Sequence, residues 1–254
     1  MPNKSEYFIF KEQPAHCGIM SDFINLYSNW YYIGEKCVLS PRYQCSKWAE
    51  NEIMNILDRG IQNSMDVFHI LAWKIGGIDH KSSNEDHPIP LIDGWQSANP
   101  MKGVHRGKNI ENIGALSTYI ASRVDIWRTM KKSSSWSKDD AHTIINEIWK
   151  YKQDNDVTQI GSVHIITLLF FITQGEFPIY DQEAMKALIA IRDGKQPGSE
   201  IEFKDLLDIS SPRFWERYQK YIDLLKKFFK EDYKRNRKID QALWVYGHLF
   251  KRKL

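Results

Sequence analysis

The sequence predicts a mostly α-helical protein, and three observations lead to that prediction. Apolar residues recur at helical spacing in nearly every strongly patterned segment of the chain. Strand-like alternation is nearly absent outside Tyr7 to Phe10. The segment from Ser162 to Thr173 is apolar almost all round, which is typical of a helix buried at the centre of a bundle.

Composition narrows the class of protein further. A chain of 254 residues with 42% hydrophobic and 26% charged residues can bury one large core or two small ones, and it does not resemble a disordered chain. Its longest apolar run, Ile165 to Ile172, is far shorter than the roughly 20 residues that span a bilayer. The first residues do not resemble a secretory signal. Three cysteines (Cys17, Cys37 and Cys45) cannot all pair, which favours a reducing cytoplasm, and they exclude a four-cysteine metal centre.

Charge is distributed unevenly along the chain. The net charge is +3, too small to indicate a nucleic-acid partner by itself. From Arg213 to Leu254, however, 13 Lys and Arg residues face 5 Asp and Glu residues, which leaves the preceding part of the chain at −5. This C-terminal cationic run comprises Lys226, Lys227, Lys230, Lys234, Arg235, Arg237 and Lys238. It is either a solvated face or a surface for the DNA backbone.

The first three helices are predicted from their apolar spacing and their terminal residues. Ser21 can cap the first helix, Ser64 can cap the third, and Gly60 ends the second. Their apolar positions are Phe23, Leu26, Tyr27 and Trp30, then Ala49, Ile53, Ile56 and Leu57, then Phe68, Leu71, Ala72 and Ile75. From Asp79 to Asn109 the pattern is lost among His, Pro, Gly, Ser and Asn, which predicts a long loop with room for a short strand pair.

Helical spacing then returns and continues to the end of the chain. Ser137 and Asp140 form a capping-box pattern before one of these helices. The predicted helices run through Ile113 to Trp127, Ala141 to Trp149, Ser162 to Thr173, Asp181 to Ile191, a segment opened by Ser211-Pro212 that carries Phe214 to Phe228, and Ile239 to Phe250.

One segment, Val157 to Leu188, carries the functional signal. It passes from a turn ending at Gly161 through the apolar helix to Phe177-Pro178-Ile179-Tyr180-Asp181, where another helix begins. This layout resembles the helix-hairpin-helix DNA glycosylases, whose hairpin reads Leu-Pro-Gly-hydrophobic-Gly and precedes a buried helix and a Pro-x-x-Asp or Val-Asp turn. Twenty residues separate Gly161 from Asp181, as in that family. The sequence Phe-Pro-Ile-x-Asp is similar to the adenine-glycosylase branch, and the likeness covers about thirty residues.

The resemblance implies a fold, a domain organisation and a function. The expected fold is mostly α, a helix-hairpin-helix DNA glycosylase-like arrangement with an active cleft between two helical parts. Residues 1–150 would form the first part, with the long loop near 79–110, and residues 151–254 would form the hairpin-containing part. The implied function is excision of a damaged or modified base from double-stranded DNA.

The resemblance also implies roles for particular residues. Asp181 would be the catalytic carboxylate, because breaking an N-glycosidic bond builds positive charge on the deoxyribose. The hairpin at Gln159, Gly161 and Val163 would hold a DNA phosphate, assisted by Lys226, Lys227 and Lys230. The candidate base pocket comprises Phe177, Tyr180, Trp244 and His248.

The segment departs from the family at the hairpin. Val163 stands where bifunctional members carry the lysine that attacks C1′, so the expected activity is monofunctional. Thr158 and Gln159 replace the hairpin's Pro and first Gly. His164, Lys186 or Lys74 could replace the missing lysine chemically, and the sequence alone does not choose among them.

Structural interpretations stand beside the functional ones. Asp181 could be only a helix cap, His164 a hydrogen-bonded core histidine, and Trp244 and His248 core residues of a final helix. The alternative function is a non-catalytic DNA-binding or interaction protein that keeps the fold, and a third is a helical scaffold without nucleic acid.

We expect no cofactor, no metal and no membrane association, and a cytoplasmic location that becomes nucleoid-associated if DNA is bound. His80, His87 and His105 lack tight ligand spacing. The sequence indicates no protein partner, and it does not identify the base.

Overall fold

The computed structural model describes residues 17–31, 47–75, 108–131, 134–158 and 160–253. Within these ranges the protein is mostly helical, as predicted. The helices are α1 (Cys17–Trp30), α2 (Lys47–Arg59), α3 (Ser64–Ile75), α4 (Lys108–Met130), α5 (Lys138–Asp154), α6 (Ser162–Ile172), α7 (Gln182–Arg192), α8 (Phe214–Phe229) and α9 (Arg237–Gly247). Two short strands, β1 (Glu200–Ile201) and β2 (Lys251–Arg252), pair in parallel.

The described residues divide into two compact units. The central unit holds α2 to α6 and extends to residue 177, whereas the terminal unit holds α1 together with everything from residue 178 onward. The division differs from the expected boundary near Lys150, because α6 belongs with α2 to α5 and α1 belongs with the C-terminal residues. Helix α1 joins the terminal unit because it packs along α9, a pairing that the order of the helices in the sequence does not reveal.

The core of the central unit is built around α6. Every side chain from Ile165 to Ile172 is buried, which confirms the prediction of a buried helix. Helix α6 packs against α3 and α5, and α3 packs against α4. From α4, the fully buried Trp127 donates its indole N–H to Glu147 Oε2 at 3.0 Å. Burial of one such large side chain stabilises the fold by about 1.5–3 kcal/mol.

The ends of two central helices follow the sequence signals. The capping box of α5 is confirmed, because the Asp140 N–H donates to Ser137 Oγ at 3.1 Å and the Ser137 N–H donates to Asp140 Oδ2 at 2.9 Å. Gly60 follows α2 with a φ of +78°, a conformation that favours glycine and ends the helix there.

Two predicted caps were wrong. Ser64 is the first residue of α3, and the preceding Asn63 supplies the cap by accepting the Asp66 N–H at 3.1 Å. Asn and Ser are nearly equal as caps, so the sequence offered two candidates side by side. Ser21 lies inside α1, since this helix begins four residues earlier at Cys17.

In the terminal unit, α9 is the central element. Phe23 and Tyr27 of α1 pack their rings on Tyr246 of α9, at centroid distances of 5.3 and 4.9 Å. On another side, α9 meets α7 through Gly247, where a Cβ atom would lie only 2.0 Å from the backbone oxygen of Glu183. A helix contact this close requires glycine. The α7–α9 pair therefore holds the beginning of α7 firmly in place.

Several predictions concern other boundaries or fall outside the described residues. The strand expected at Tyr7 to Phe10 lies outside them, as does the loop from Asp79 up to residue 107. Helix α4 begins at Lys108, at the end of that expected loop, and α9 begins at Arg237 rather than Ile239. Among the described helices, none combines the length and the apolar character needed to cross a bilayer.

Candidate functional site

The turn that leads to Asp181 is fixed by hydrogen bonds to two tyrosine hydroxyls. Tyr218 of α8 donates its hydroxyl to the Pro178 carbonyl at 2.6 Å, and the Tyr180 hydroxyl accepts the Leu206 N–H at 3.2 Å. Asp181 follows in an extended conformation at the N-cap of α7. One hydrogen bond comes from α8 and the other from the backbone of Leu206. Together they fix the direction in which the chain enters α7.

Asp181 is half-buried, and its carboxylate caps α7. Its Oδ1 accepts the Glu183 N–H at 2.8 Å. A carboxylate at this position lies in the favourable field of the helix N-terminus. The expected cap is therefore present, and it uses one of the two carboxylate oxygens.

Two buried phenols lie close to this carboxylate. Tyr180 and Tyr221 pack edge to face with their ring centroids 5.1 Å apart. Burial raises the pKa of both hydroxyls, and the negative charge of Asp181 adds to the rise in each case. Both phenols are therefore neutral at neutral pH. Tyr180 is only 3% exposed, which argues against its expected place in an open base pocket, because the ring belongs to the core.

Trp244 and His248, the other aromatic residues expected in the base pocket of this unit, lie together on α9. Their ring centroids are 4.1 Å apart, and Trp244 also meets Tyr31 edge on at 5.4 Å. His248 Nδ1 donates to the Trp244 carbonyl at 2.8 Å, because a carbonyl oxygen can only accept. Both side chains are half-buried, so part of this aromatic pair remains accessible.

Gly161 occupies the N-cap of α6 in the central unit, at the end of the expected hairpin. It is exposed, and its N–H donates to His164 Nδ1 at 3.2 Å. Its backbone is extended, and an added Cβ would come no closer than 4.0 Å to its nearest neighbour. Neither conformation nor space therefore requires glycine here. The His164 side chain caps the Gly161 N–H, a role that sequence reasoning missed, although its position three residues after the N-cap was the signal.

The remaining hairpin and pocket residues lie in the central unit or outside the described chain. Gln159 lies outside the described residues. Val163 is half-buried in the first turn of α6, and its carbonyl accepts the Thr167 hydroxyl at 2.9 Å. Phe177 is half-buried at the end of the central unit, whereas Tyr180, Trp244 and His248 belong to the terminal unit.

The expected DNA-contacting lysines are exposed at the C-terminal end of α8. Lys226 and Lys227 lie in its last turn, and Lys230 follows at the C-cap. Exposed Lys195, just after α7, shares a neighbour with Lys227, because both lower the pKa of Asp193 after the dominant hydrogen bond from Arg192. Lys195 was missed from the sequence because it is about thirty residues away from the others along the chain.

Arg237 does not belong to this cationic surface. Its side chain is 8% exposed and forms an ion pair with Asp240. It donates to the Tyr31 hydroxyl at 3.2 Å and lies 5.5 Å from the centre of that ring. The prediction that Arg237 shares a solvated or DNA-facing run was wrong, because its guanidinium is buried beside α1.

Lys186, one of the lysines considered as a replacement nucleophile, is buried and paired. Its Nζ lies 2.6 Å from Glu183 Oε2 and donates to the Phe250 carbonyl at 3.1 Å. A lysine that attacks C1′ must reach the deoxyribose, whereas this amine is buried and bound to two other groups. Lys74, the other candidate, is half-buried at the end of α3 in the central unit.

No group of three His, Cys, Asp or Glu side chains within the described ranges is arranged to hold a metal ion. Comparisons of the chain with protein-family models, with curated proteins and with solved structures found no match. The chemistry of the site must therefore be argued from its own residues.

Proposed function

We propose that the protein excises a damaged or modified base from duplex DNA by hydrolysing the N-glycosidic bond, without cutting the strand. The observation that carries the proposal is Asp181: a half-buried carboxylate at a helix N-cap, held by the Glu183 N–H and preceded by a turn fixed through Pro178 and Tyr180. Its position twenty residues after Gly161 reproduces the layout of the helix-hairpin-helix DNA glycosylases.

Asp181 would act electrostatically. As the bond to the base lengthens, positive charge develops on the deoxyribose, and a fixed carboxylate facing C1′ stabilises that charge without reorganising. The same carboxylate can orient the attacking water. The phenols of Tyr180 and Tyr221 are neutral, so they place no charge next to the carboxylate that would oppose its effect on the deoxyribose.

Hydrolysis without strand cleavage is supported by the absence of a lysine at position 163 and by the burial of Lys186. Val163 replaces the nucleophile of bifunctional enzymes, and the amine of Lys186 is buried and paired with Glu183. Borohydride should therefore trap no covalent protein–DNA adduct. The exposed amines of Lys195, Lys226, Lys227 and Lys230 are suited to contact phosphates without reading sequence.

The experiment that tests the proposal is a panel of duplex oligonucleotides, each with one damaged or modified base, treated with the protein and then with hot alkali. Alkali cleaves the strand wherever a base has been removed, so excision gives a band only after this treatment. Bands without alkali would contradict the monofunctional assignment. A panel on which no base is removed would favour the second candidate.

That second candidate is a non-catalytic DNA-binding or interaction protein with a glycosylase-like fold. The observation that favours it is at the hairpin, where the Gly161 N–H is occupied by His164 instead of pointing to a phosphate. Thr158 and Gln159 also replace the family's Pro and Gly. This protein would bind duplex DNA through the lysines and leave every base of the panel in place.

A further inference from the structure

We propose that Lys186 is a positioning residue for Asp181, acting through a clamp formed by Glu183, Lys186 and Gly247. The proposal rests on the proposed function, and it assigns a role to the buried charges of α7 that the reaction itself does not use. All three residues belong to the terminal unit, and the clamp joins the first turn of α7 to the end of α9 and the residues that follow it.

The clamp acts on the peptide group that holds the carboxylate. The N–H of Glu183 is the donor to Asp181 Oδ1, at 2.8 Å. The backbone oxygen of the same residue is packed against Gly247 so tightly that a Cβ there would lie 2.0 Å from it. Any rotation of Glu183 therefore moves either the Asp181 carboxylate or α9.

The side chain of Glu183 is held by charge. Its buried Oε2 makes no hydrogen bond within the described residues, but it lies 2.6 Å from Lys186 Nζ and 3.8 Å from His248 Nδ1. Lys186 in turn donates to the Phe250 carbonyl at 3.1 Å. The Lys186 ammonium thus connects the first turn of α7 to the backbone that follows α9.

Burial distinguishes this pair from an exposed helical ion pair of the same unit. The side chains of Lys186 and Glu183 are 8% and 15% exposed, whereas those of the helical pair Lys220 and Glu216 are 64% and 54% exposed. An exposed pair contributes little, but removing one partner of a buried pair leaves a charge without compensation. Loss of the Lys186 charge would therefore force Glu183 to reorient.

The matched variants are Lys186→Met and Lys220→Met, which remove an ammonium from a buried and from an exposed helical pair. The first readout needs no DNA. In the wild-type protein the amide proton of Glu183 should shift in an NMR spectrum as the Asp181 carboxylate titrates, because it is bonded to that carboxylate. We expect Lys186→Met to lose most of this pH-dependent shift and Lys220→Met to keep it.

The second readout connects the clamp to the reaction. It compares binding to two duplexes, one with a cationic pyrrolidine in place of a deoxyribose and one with a neutral tetrahydrofuran. The cation mimics the charge of the transition state, so a directed carboxylate should favour it by about tenfold. Lys186→Met should lose most of this preference without changing the affinity for the neutral duplex, whereas Lys220→Met should behave as wild type.

The outcomes separate the two proposals. A folded Lys186→Met protein that keeps both the amide shift and the cation preference would overturn the clamp and leave the proposed function standing. A wild-type protein without any cation preference, unchanged by Asp181→Asn, would contradict the proposed function and the clamp with it. If Lys186→Met does not fold, Lys186→Gln, which removes the charge but keeps a hydrogen-bond donor for the Phe250 carbonyl, is tested in the same way, and an unchanged amide shift and cation preference would again overturn the clamp.

Discussion

At the scale of single residues, Asp181 has two functions to be separated: capping a helix and stabilising a cation. Asn caps a helix as well as Asp does, so Asp181→Asn should change the free energy of unfolding by less than about 0.5 kcal/mol. It should nevertheless lower the excision rate by orders of magnitude while leaving DNA affinity unchanged or improved, because the charge acts only in the transition state. Urea unfolding and single-turnover excision on an identified substrate measure the two effects. Wild-type excision by the Asn variant would identify Asp181 as a cap alone.

His69 in the central unit should make stability depend on pH. Burial lowers the pKa of its imidazole, although the charges of Glu52 and Asp66 partly oppose this, and the buried Nδ1 makes no hydrogen bond within the described part of the chain. The unfolded chain, with a histidine pKa of about 6.5, then binds more protons than the folded one. The neutral His69 imidazole therefore contributes to stability above about pH 6.5. This contribution should be lost as the pH falls from about 6.5 toward the folded pKa.

The measurement is urea unfolding of wild type and His69→Gln at pH 7.5 and pH 5.5. The variant should lose less stability on acidification than the wild type. The pKa of Asp66 is also lowered, through its hydrogen bonds and ion pair with Arg59 despite burial, but its window lies below about pH 4 and does not overlap. Equal losses in the two proteins would show that His69 is not the group responsible.

At the scale of helices, the contact between α7 and α9 depends on Gly247. Gly247→Ala should destabilise the protein by about 3 kcal/mol, because the new Cβ would meet backbone atoms of Glu183, which cannot move aside as a side chain can. The control is Gly114→Ala in α4, where nothing lies within 4 Å of the added Cβ and the exchange should stabilise by about 0.5–1 kcal/mol. Urea unfolding compares the two, and a destabilisation below about 1 kcal/mol for Gly247→Ala would show that these helices are not held in close contact.

The sequence predicted these helices well where the signal was local. The capping box at Ser137, the terminating Gly60 and the buried segment after Gly161 depend on residues within one or two turns of each other, and all three are confirmed. The strands β1 and β2 were missed because two residues are too few to form a pattern and their partners lie about fifty residues apart.

The candidate site was less predictable, because its contacts are tertiary. The sequence identified Asp181 as a cap or a catalyst, but not the Tyr218 hydroxyl that fixes Pro178 from forty residues away. Arg237 looked like part of a basic surface, and only the packing of α1 shows that its charge is buried beside Tyr31. Spacing within a helix can indicate a face, but not which other element covers it.

At the scale of the whole molecule, the cationic C-terminal part predicts weak, sequence-independent binding to duplex DNA that declines as salt rises. Replacing Lys226, Lys227 and Lys230 by Gln should flatten the plot of log affinity against log salt by about 0.9 for each phosphate that the variant no longer neutralises. Exposed Lys138 and Lys150 of the central unit, replaced in the same way, serve as the control. Titration of a labelled duplex at several salt concentrations measures the slope, and absence of binding at low salt would contradict both the enzyme and the DNA-binding candidates.

The pairing of α1 with α9 has a consequence for the order in which the chain can fold as it is synthesised. About 200 residues separate the two helices, so at 5–20 residues per second α1 emerges from the ribosome about 10–40 s before its partner. Helices themselves form within microseconds. During that interval Phe23 and Tyr27, which end up completely buried, lack the Tyr246 ring on which they pack in the folded protein. The aromatic face that α1 turns to α9 therefore waits for its partner until translation reaches α9, and this is the stage at which a chaperone would bind it.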